Sequence, residues 1–259
     1  MIYLFLSVAC STLIALLLKS SEGSGRNRLT VTTINYVVAA SVSLILFLGE
    51  SGPSPSVSDL AIPLQLRLWE PGFPPSALHS MVWAVAVGLF GGLAYFAGFM
   101  TIQRSIRNNG VAITGAVSKL AILIPMVLSM LFWHNLPGWL QSLGIVLALG
   151  AILMAHLSGG EWRQLRGMDP VLLWMFLSVG MGEFANKLFQ EYGMDTHKGL
   201  FLLTVFLTAL VISMAALIRS RQQLRRGDVV MGVLVGIPNM LTSLFLIKSF
   251  ATVPAVIAF

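Results

Sequence analysis

The chain has 259 residues, of which 56% are hydrophobic and 10% are charged, and its net charge is +6. Since an average soluble domain has about 25% charged residues, this composition and the mean hydropathy of +0.85 predict an integral membrane protein without a sizeable soluble domain. The positive charge does not indicate nucleic-acid binding, because the basic residues lie at the ends of apolar segments.

The first part of the chain contains five apolar spans, each long enough to cross a bilayer. They cover approximately residues 2–18, 31–48, 81–102, 110–133 and 139–157. The longest connection, 49–80, includes an apolar stretch at 60–69 that is too short to cross, and we expect it to lie on the membrane surface or to re-enter.

Small and polar residues within these spans suggest how they pack. Asn35 and Tyr36, near the start of the second span, are expected to be interfacial anchors. Gly88 and Gly92 lie one helical turn apart in the third span, and this spacing favours close approach of another helix. Gly144 in the fifth span, one turn before an alanine, has the same spacing.

The fourth span carries a lysine and a proline. Lys119 falls near the middle of the hydrocarbon layer, where a charge costs at least about 2.5 to 3.5 kcal/mol, so we expect it to face a polar interior. There it would contact an anionic substrate or a coupling carboxylate; the alternatives are snorkelling and a structural bond to a carbonyl. Pro125 removes an amide four residues after Ala121 and predicts a kink just past the charge.

Three further spans follow, at approximately 171–189, 199–218 and 229–250, and a ninth apolar run begins at Pro254. Asp169 before a proline is typical of a helix start. In the sixth span Glu183, Asn186 and Lys187 share one helix face. Glu183 is the best candidate for a proton carrier, since a buried carboxylate binds a proton more readily. An intrahelical Glu183–Lys187 pair is an equally good interpretation.

Internal repeats relate the two parts of the chain. The sequence FLSV occurs at 5–8 and again at 176–179, and Arg104-Ser105-Ile106 resembles Lys248-Ser249-Phe250. These matches predict a first five-helix unit at 1–157, a linker at 158–169 and a second unit at 170–259. Because the first unit has an odd number of spans, the second would be inverted relative to it, as in many secondary transporters.

The basic residues support this arrangement, because eleven lie in one set of alternating loops and three in the other. The larger set comprises Lys19, Arg26, Arg28, Arg104, Arg107, Arg163, Arg166, Arg219, Arg221, Arg225 and Arg226, and the smaller set Arg67, Lys198 and Lys248. The positive-inside rule then places the larger set in the cytoplasm and the N-terminus outside.

The stretches 108–132 and 136–156 resemble the last two spans of a unit of the EamA-type transporters, a family of the drug/metabolite transporter superfamily. The stretch 236–259, GIPNMLTSLFLIKSFATVPAVIAF, is similar to the matching third span running into the fourth. The resemblance implies an all-α bundle of ten transmembrane helices, in two inverted five-helix units around a substrate cavity. Here the second unit has three helices and the start of a fourth, which predicts either a fragment or a protein lacking half of one cavity wall. The resemblance also implies a cytoplasmic N-terminus, whereas the distribution of the basic residues predicts an N-terminus outside.

By position, the resemblance puts Ser118, Lys119 and Pro125 on the kinked fourth span, and Pro238 and Asn239 on the third span of the second unit. Pro238 is expected to break its helix, and Asn239 then lies where freed carbonyls could line a cavity.

These features predict a multi-pass protein of the cell (inner) membrane that moves a small metabolite or drug by alternating access, with proton exchange as a candidate coupling. Its partners would be the lipid bilayer, a small-molecule substrate and protons, without a cofactor or a nucleic acid. The sequence contains no Walker-type loop that would indicate direct ATP use. Its four histidines have no metal-ligand spacing; they are His79, His134, His156 and His197. The rival interpretations are a membrane-embedded enzyme, for which the sequence lacks paired acids or a nucleophile motif, and a helical scaffold that does not transport.

Overall fold

The structure, a computed structural model, describes residues 2–50, 76–134, 138–156, 169–221 and 224–250. These ranges contain no β-strand, in agreement with the predicted all-α class. Their helices are α1 (Ile2–Gly23), α2 (Arg28–Gly49), α3 (Ala77–Leu120), α4 (Leu123–Trp133), α5 (Trp139–His156), α6 (Pro170–Tyr192), α7 (Lys198–Ser220) and α8 (Arg226–Phe250). A short 3-10 helix, Asp195–His197, leads into α7.

Five helical segments in these ranges are long and apolar enough to cross a membrane, which agrees with the predicted multi-pass protein. They are Ile2–Ser21, Arg28–Gly49, Ala77–Trp133, Asp195–Ser220 and Arg226–Ser249. The predicted surface segment at 60–69, the linker at 158–168 and the apolar run from Pro254 lie outside the described residues.

The segment Ala77–Trp133 has 57 residues, so as one straight helix it would be about 86 Å long, nearly three bilayer thicknesses. The chain instead turns back at Gly110, whose φ of 78° is accessible to glycine. As a result Ser105 Oγ and Thr114 Oγ1 are only 2.7 Å apart, although they are nine residues apart in sequence. The predicted third and fourth spans are therefore the two arms of a helical hairpin, whose tip is Gly110, and residues 103–109 between the predicted spans are helical.

Side-chain contacts define the direction of each neighbouring pair of helices. α1 is antiparallel to α8, and the first arm of α3 is antiparallel to α6. In each pair two contacts run in opposite order along the chain: Tyr3 with Phe245 and Ser7 with Thr242, and Trp83 with Leu188 and Gly98 with Val179. α2 is likewise antiparallel to α7, because Glu50 accepts the Gly199 N–H and Tyr36 contacts Phe206.

Two parallel pairs, α3 with α7 and α2 with α8, approach closely at glycines. A Cβ atom on Gly88 would lie 2.7 Å from the Cβ of Thr204, and one on Gly92 would lie 2.5 Å from the Cβ of Thr208. In the other pair Gly232 and Gly236 contact α2 in the same way, at Ile34 and Val38. The close approach predicted from Gly88 and Gly92 is confirmed, whereas Gly144 has no atom within 4 Å of its Cβ position.

The prediction that Asn35 and Tyr36 are interfacial anchors is wrong. Both are 0% exposed, because α2 begins at Arg28 and these residues already lie two turns inside it, facing α7 and α8. The Tyr36 hydroxyl donates to the Tyr95 carbonyl at 2.9 Å, and the Asn35 side chain accepts a hydrogen bond from Asn239 at 3.1 Å. These bonds satisfy the Tyr36 hydroxyl and Asn35 Oδ1, whereas the buried Asn35 Nδ2 has no partner among the described residues.

The basic loops gather at one end of the bundle. Arg26 donates to the Gly227 carbonyl, and Asn108 at the hairpin tip donates to Asp169 at the start of α6. These contacts bring together the end of α1, the tip of the α3 hairpin and the starts of α6 and α8. We call this the basic end; it carries Lys19, Arg26, Arg28, Arg104, Arg107, Arg219, Arg221, Arg225 and Arg226, while Arg163 and Arg166 lie outside the described residues.

Replacing Gly92 with alanine should destabilise the bundle, because the new methyl group would overlap Thr208 and push α3 away from α7. We expect a loss of about 1 to 3 kcal/mol, seen as a lower thermal midpoint of the detergent-purified protein. Gly144→Ala is the matched control, and it should leave the midpoint unchanged because its Cβ position is open. Equal midpoints for the two variants would contradict the close contact.

Asp169 makes stability depend on pH at the acid end of the range. Its carboxylate accepts hydrogen bonds from the Val171 N–H, Asn108 and Asn109 at 3.0 to 3.3 Å, and these bonds hold its pKa below the ordinary value. A carboxylate with a depressed pKa stabilises the fold above its unfolded pKa of about 3.9, and this contribution is lost as the pH falls through the lower folded pKa. Asp169→Asn should therefore lower the midpoint at pH 7 but flatten its decline below about pH 4. A decline as steep as in the wild type would exclude Asp169 as the cause.

Candidate functional site

A cavity of about 490 Å³ lies between α1, both arms of α3, α6 and α8. Its apolar part extends towards the basic end and includes Leu18, Ile106 and Val111. Its polar part lies near mid-depth, where helices meet that are far apart in sequence. The polar side chains there include Ser11, Tyr95, Ser118, Lys119, Glu183, Asn239 and Ser243.

The structure places Lys119 on the wall of this cavity. It is nine residues past Gly110, about 14 Å along the helix from the hairpin tip. Its ammonium group donates to the Ser11 hydroxyl of α1 at 3.0 Å, so it bonds across the cavity to another helix. An ammonium group has three N–H donors, and this is the one hydrogen bond that it makes to the described residues.

Glu183 lines the same cavity from α6 and is held by a chain of hydrogen bonds. The Asn186 amide donates to Glu183 Oε2 at 3.1 Å and to the Tyr95 hydroxyl at 2.9 Å, and that hydroxyl lies 2.7 Å from Ser243 Oγ. Glu183 and Lys119 therefore line the same cavity from different helices. Within the described ranges neither forms an ion pair.

Of the six predicted cavity residues, Ser118, Lys119, Glu183 and Asn239 line the cavity, whereas Asn186 and Lys187 do not. Asn186 lies behind Glu183 and orients it. Lys187 points towards the opposite end, where it pairs with Glu191 at 2.7 Å and lies 5.5 Å from the Trp133 ring centre. The predicted Glu183–Lys187 pair is therefore replaced by Lys187–Glu191, because a lysine one turn further along α6 reaches the next acid rather than the previous one.

The two predicted kinks have different outcomes. Near Pro125 the helix is interrupted between α3 and α4, and the Ala121 carbonyl accepts from Ile124 N at 3.1 Å, in a tighter turn, because Pro125 has no N–H to offer. α8, by contrast, is continuous through Pro238, so the helix is not broken there, and the kink predicted at Pro238 stays a prediction. A proline removes one helical hydrogen bond, and the packing of α8 on α1 and α2 offsets that loss.

Sequence reasoning missed four residues of the site region. Tyr95, Ser243 and Ser11 are ordinary in their spans, and Gly180 contacts the interruption before Pro125, since a Cβ on it would lie 2.7 Å from the Ala121 carbonyl. One signal was present: the 144-residue offset that relates Arg104 to Lys248 also relates Tyr95 to Asn239. The described residues include no group of three or more histidine, cysteine or acidic side chains that could hold a metal ion.

Comparison with protein-family models and with curated proteins finds no match to this chain. The resemblance to EamA-type transporters therefore rests on the residues quoted above, and the case for a function rests on the cavity. Its chemistry is binding: one ammonium group and one carboxylate, both supported by hydrogen bonds, face an apolar chamber that could enclose a small organic molecule.

A cysteine placed in the cavity should react with a water-soluble thiol reagent. In a Cys10→Ser background, which removes the natural cysteine, Ser118→Cys should be labelled rapidly by a charged methanethiosulfonate, because polar side chains keep this space wet. Ser129→Cys in α4 is the matched control; Ser129 is 2% exposed and does not line the cavity, so it should be labelled far more slowly. Equal labelling rates would show that the cavity excludes water.

Proposed function

We propose that the protein is a secondary transporter that moves a small organic molecule by alternating access. The observation that carries the proposal is the cavity itself, in which Lys119 and Glu183 lie at mid-depth in a bundle of apolar helices. Charged groups at that depth are costly, and in membrane proteins they typically mark a substrate or ion pathway. A purely structural helix could carry leucine at these positions and avoid the cost, so the charged residues favour a functional role.

The glycine contacts support two related units. Gly232 and Gly236 lie 144 residues after Gly88 and Gly92, and the residues they meet are related too. Thr204 and Thr208, which face the first pair of glycines, lie 170 residues after Ile34 and Val38, which face the second. Exchanging α3 with α8 and α2 with α7 thus maps the glycine contacts of one parallel pair onto those of the other, as a two-fold relation between units would.

The same exchange extends to the outer helices. Ser7 contacts Thr242, and its counterpart 171 residues later, Ser178, lies against Gly98, which is 144 residues before Thr242. The helix directions support inversion, since each helix of the second unit runs opposite to its counterpart in the first: α6 to α1, α7 to α2, and α8 to the first arm of α3. Two inverted units meeting at a central cavity are the arrangement that lets a transporter rock between two open states.

Glu183 is our candidate for coupling to protons. It has hydrogen-bond support on one oxygen from Asn186 and faces the cavity, so it could carry a proton across as the bundle changes state. Transport would then respond to a pH gradient, and replacing the carboxyl with an amide should remove that response.

The two rival functions, a membrane-embedded enzyme and a scaffold that does not transport, require different groups in the cavity. A membrane-embedded enzyme would require a second catalytic acid or a nucleophile–base pair in the cavity. Among the described lining residues the nearest to such a pair is Ser11 with Lys119, in which the ammonium group donates the hydrogen bond and so does not act as a base. A scaffold that does not transport would have no use for an ammonium group and a carboxylate facing an open chamber. We therefore propose transport rather than catalysis as the function of the cavity.

Transport by purified protein in proteoliposomes tests the proposal. Lys119→Ala should reduce substrate-dependent uptake or efflux about tenfold or more, because a hydrogen bond to a charged group contributes about 1.5 to 3 kcal/mol. Lys187→Ala is the control, since that lysine lies outside the cavity, and it should transport like the wild type. An unchanged rate in Lys119→Ala would remove Lys119 from the mechanism, and a wild type that moves none of the tested metabolites would favour the rivals.

A further inference from the structure

Four polar side chains beside the cavity are joined by consecutive hydrogen bonds that cross three helices. The Asn186 amide nitrogen of α6 donates to Glu183 Oε2 at 3.1 Å and to the Tyr95 hydroxyl of α3 at 2.9 Å. The hydroxyl oxygens of Tyr95 and Ser243, the latter on α8, are 2.7 Å apart. We call these four residues the relay. It connects the acid that is our candidate proton carrier to two other helices.

The direction of each bond in the relay follows from the donors available. An amide nitrogen has two N–H groups and no acceptor, so Asn186 donates in both of its bonds. The Tyr95 oxygen accepts one of them, and among the described residues Ser243 Oγ is the one acceptor that the Tyr95 hydrogen reaches. Tyr95 therefore donates to Ser243. In this arrangement an N–H group faces Glu183 and favours its ionised form.

Among the described residues, the orientation of the Asn186 amide is set by its two partners alone. Asn186 is 1% exposed, and its Oδ1 atom is buried without a hydrogen-bond partner. If Tyr95 donated to Asn186 instead of Ser243, the amide would turn over and present its carbonyl oxygen to Glu183. A carbonyl oxygen repels an ionised carboxylate and accepts a hydrogen bond from a protonated one. Glu183 would then bind a proton more tightly.

Ser243 decides which way Tyr95 donates, and it lies on a different group of helices. α3 packs mainly on α6 and α7, whereas α8 packs mainly on α1 and α2. The Tyr95–Ser243 bond therefore bridges helices whose main neighbours differ. If α8 moved away from α3, the Tyr95 hydrogen would lose its acceptor and would turn to the Asn186 oxygen.

From this geometry we propose that Ser243 and Tyr95 are positioning residues for proton coupling. The bond between them holds the Asn186 amide nitrogen on Glu183, and loss of that bond turns the amide and increases the affinity of Glu183 for a proton. The acid releases its proton to water in the cavity while α8 is bonded to α3, and it takes a proton from that water when the two helices separate. The inference rests on the proposed transport function, in which Glu183 carries the proton, and identifies what regulates that acid.

The other charged groups around Glu183 are not part of the relay. Lys119 on the second arm of α3 lines the same cavity, and Lys187 on α6 pairs with Glu191. Among the described residues, α4 has no ionisable side chain, and neither do the parts of α1 and α8 that line the cavity. Because Ser243 is itself uncharged, a change in the titration of Glu183 after its replacement reports the hydrogen bonds rather than the loss of a charge.

Infrared difference spectroscopy of the purified full chain in detergent measures the protonation of Glu183 without a substrate. A protonated carboxyl group has a C=O stretching band, and the band of Glu183 is the one that Glu183→Gln removes. Its titration gives a midpoint pH. Ser243→Ala should raise this midpoint by about one pH unit or more, because a hydrogen bond to a charged group changes its proton affinity about tenfold or more.

Further variants separate the relay from a general effect of mutation. Tyr95→Phe removes the donor that would turn the amide, so its midpoint should stay near that of the wild type. For the same reason Ser243→Ala combined with Tyr95→Phe should return the midpoint to the wild-type value. Ser243→Thr keeps the acceptor and should titrate like the wild type. Ser129→Ala is the matched control, since it removes a serine hydroxyl that is 2% exposed in α4 and outside the cavity, and it should leave the midpoint unchanged.

Three results would overturn the proposal: a folded Ser243→Ala protein that titrates like the wild type, a double variant that keeps the shift of the single variant, or a Glu183 that does not titrate while the protein stays folded. Folding is checked by a single elution peak and by helical circular dichroism. If Ser243→Ala does not fold, Ser243→Cys takes its place, and its weakly accepting thiol should give a smaller shift in the same direction; a folded Ser243→Cys protein without a shift overturns the proposal equally.

The transport assay in proteoliposomes distinguishes this inference from the function on which it rests. If the wild type transports a metabolite while Ser243→Ala shows no shift, the relay is wrong and the transporter assignment remains. If the expected shifts appear while the wild type moves none of the tested metabolites, the relay is correct as a control of Glu183 and the transporter assignment fails.

Discussion

Close backbone contact at four glycines is the interaction on which the rest of the bundle depends. Lipid tails are as apolar as the helix surfaces, so helices in a membrane associate through van der Waals packing at small residues rather than through the hydrophobic effect. Gly88 and Gly92 press α3 against α7, and Gly232 and Gly236 press α8 against α2. With these four helices fixed, α1 packs on α8 and α6 packs on α3, and the cavity is the space enclosed between them.

The polar network beside that cavity links α6, α3 and α8, which these four glycine contacts do not join to one another. Asn186 of α6 donates both to Glu183 and to Tyr95 of α3, and the Tyr95 hydroxyl continues the chain to Ser243 of α8. Because an unsatisfied polar group is costly away from water, the network defines how Glu183 is presented to the cavity. A change of state that separated α6 from α3 would have to break these bonds and re-form others, which gives the acid different surroundings in each state.

On α6, the position of each charged residue along the helix decides whether it pairs within the helix or faces the cavity. Lys187 and Glu191 pair on one helix near the opposite end, where aromatic rings and a neighbouring glutamine complete their contacts. Glu183, one turn deeper than Lys187, forms no ion pair within the described ranges and lines the cavity together with Lys119 of α3. By sequence spacing alone Lys187 could pair with Glu183 or with Glu191, since each lies four residues away. The tertiary fold decides between them, because the cavity surrounds only Glu183.

By itself the sequence determined the all-α membrane class, the approximate position of each described span and the segregation of the basic residues, because these follow from hydropathy and from charges along the chain. It also identified Lys119 and Glu183 as unusual, since a charge within an apolar span is visible without a fold. The burial of Asn35 and Tyr36, the recruitment of Tyr95 and Ser243, and the exclusion of Lys187 were decided only by the tertiary structure. They depend on which face of each helix meets a neighbour, and in a chain this uniformly apolar the hydrophobic pattern does not mark that face; the packing of distant glycines does.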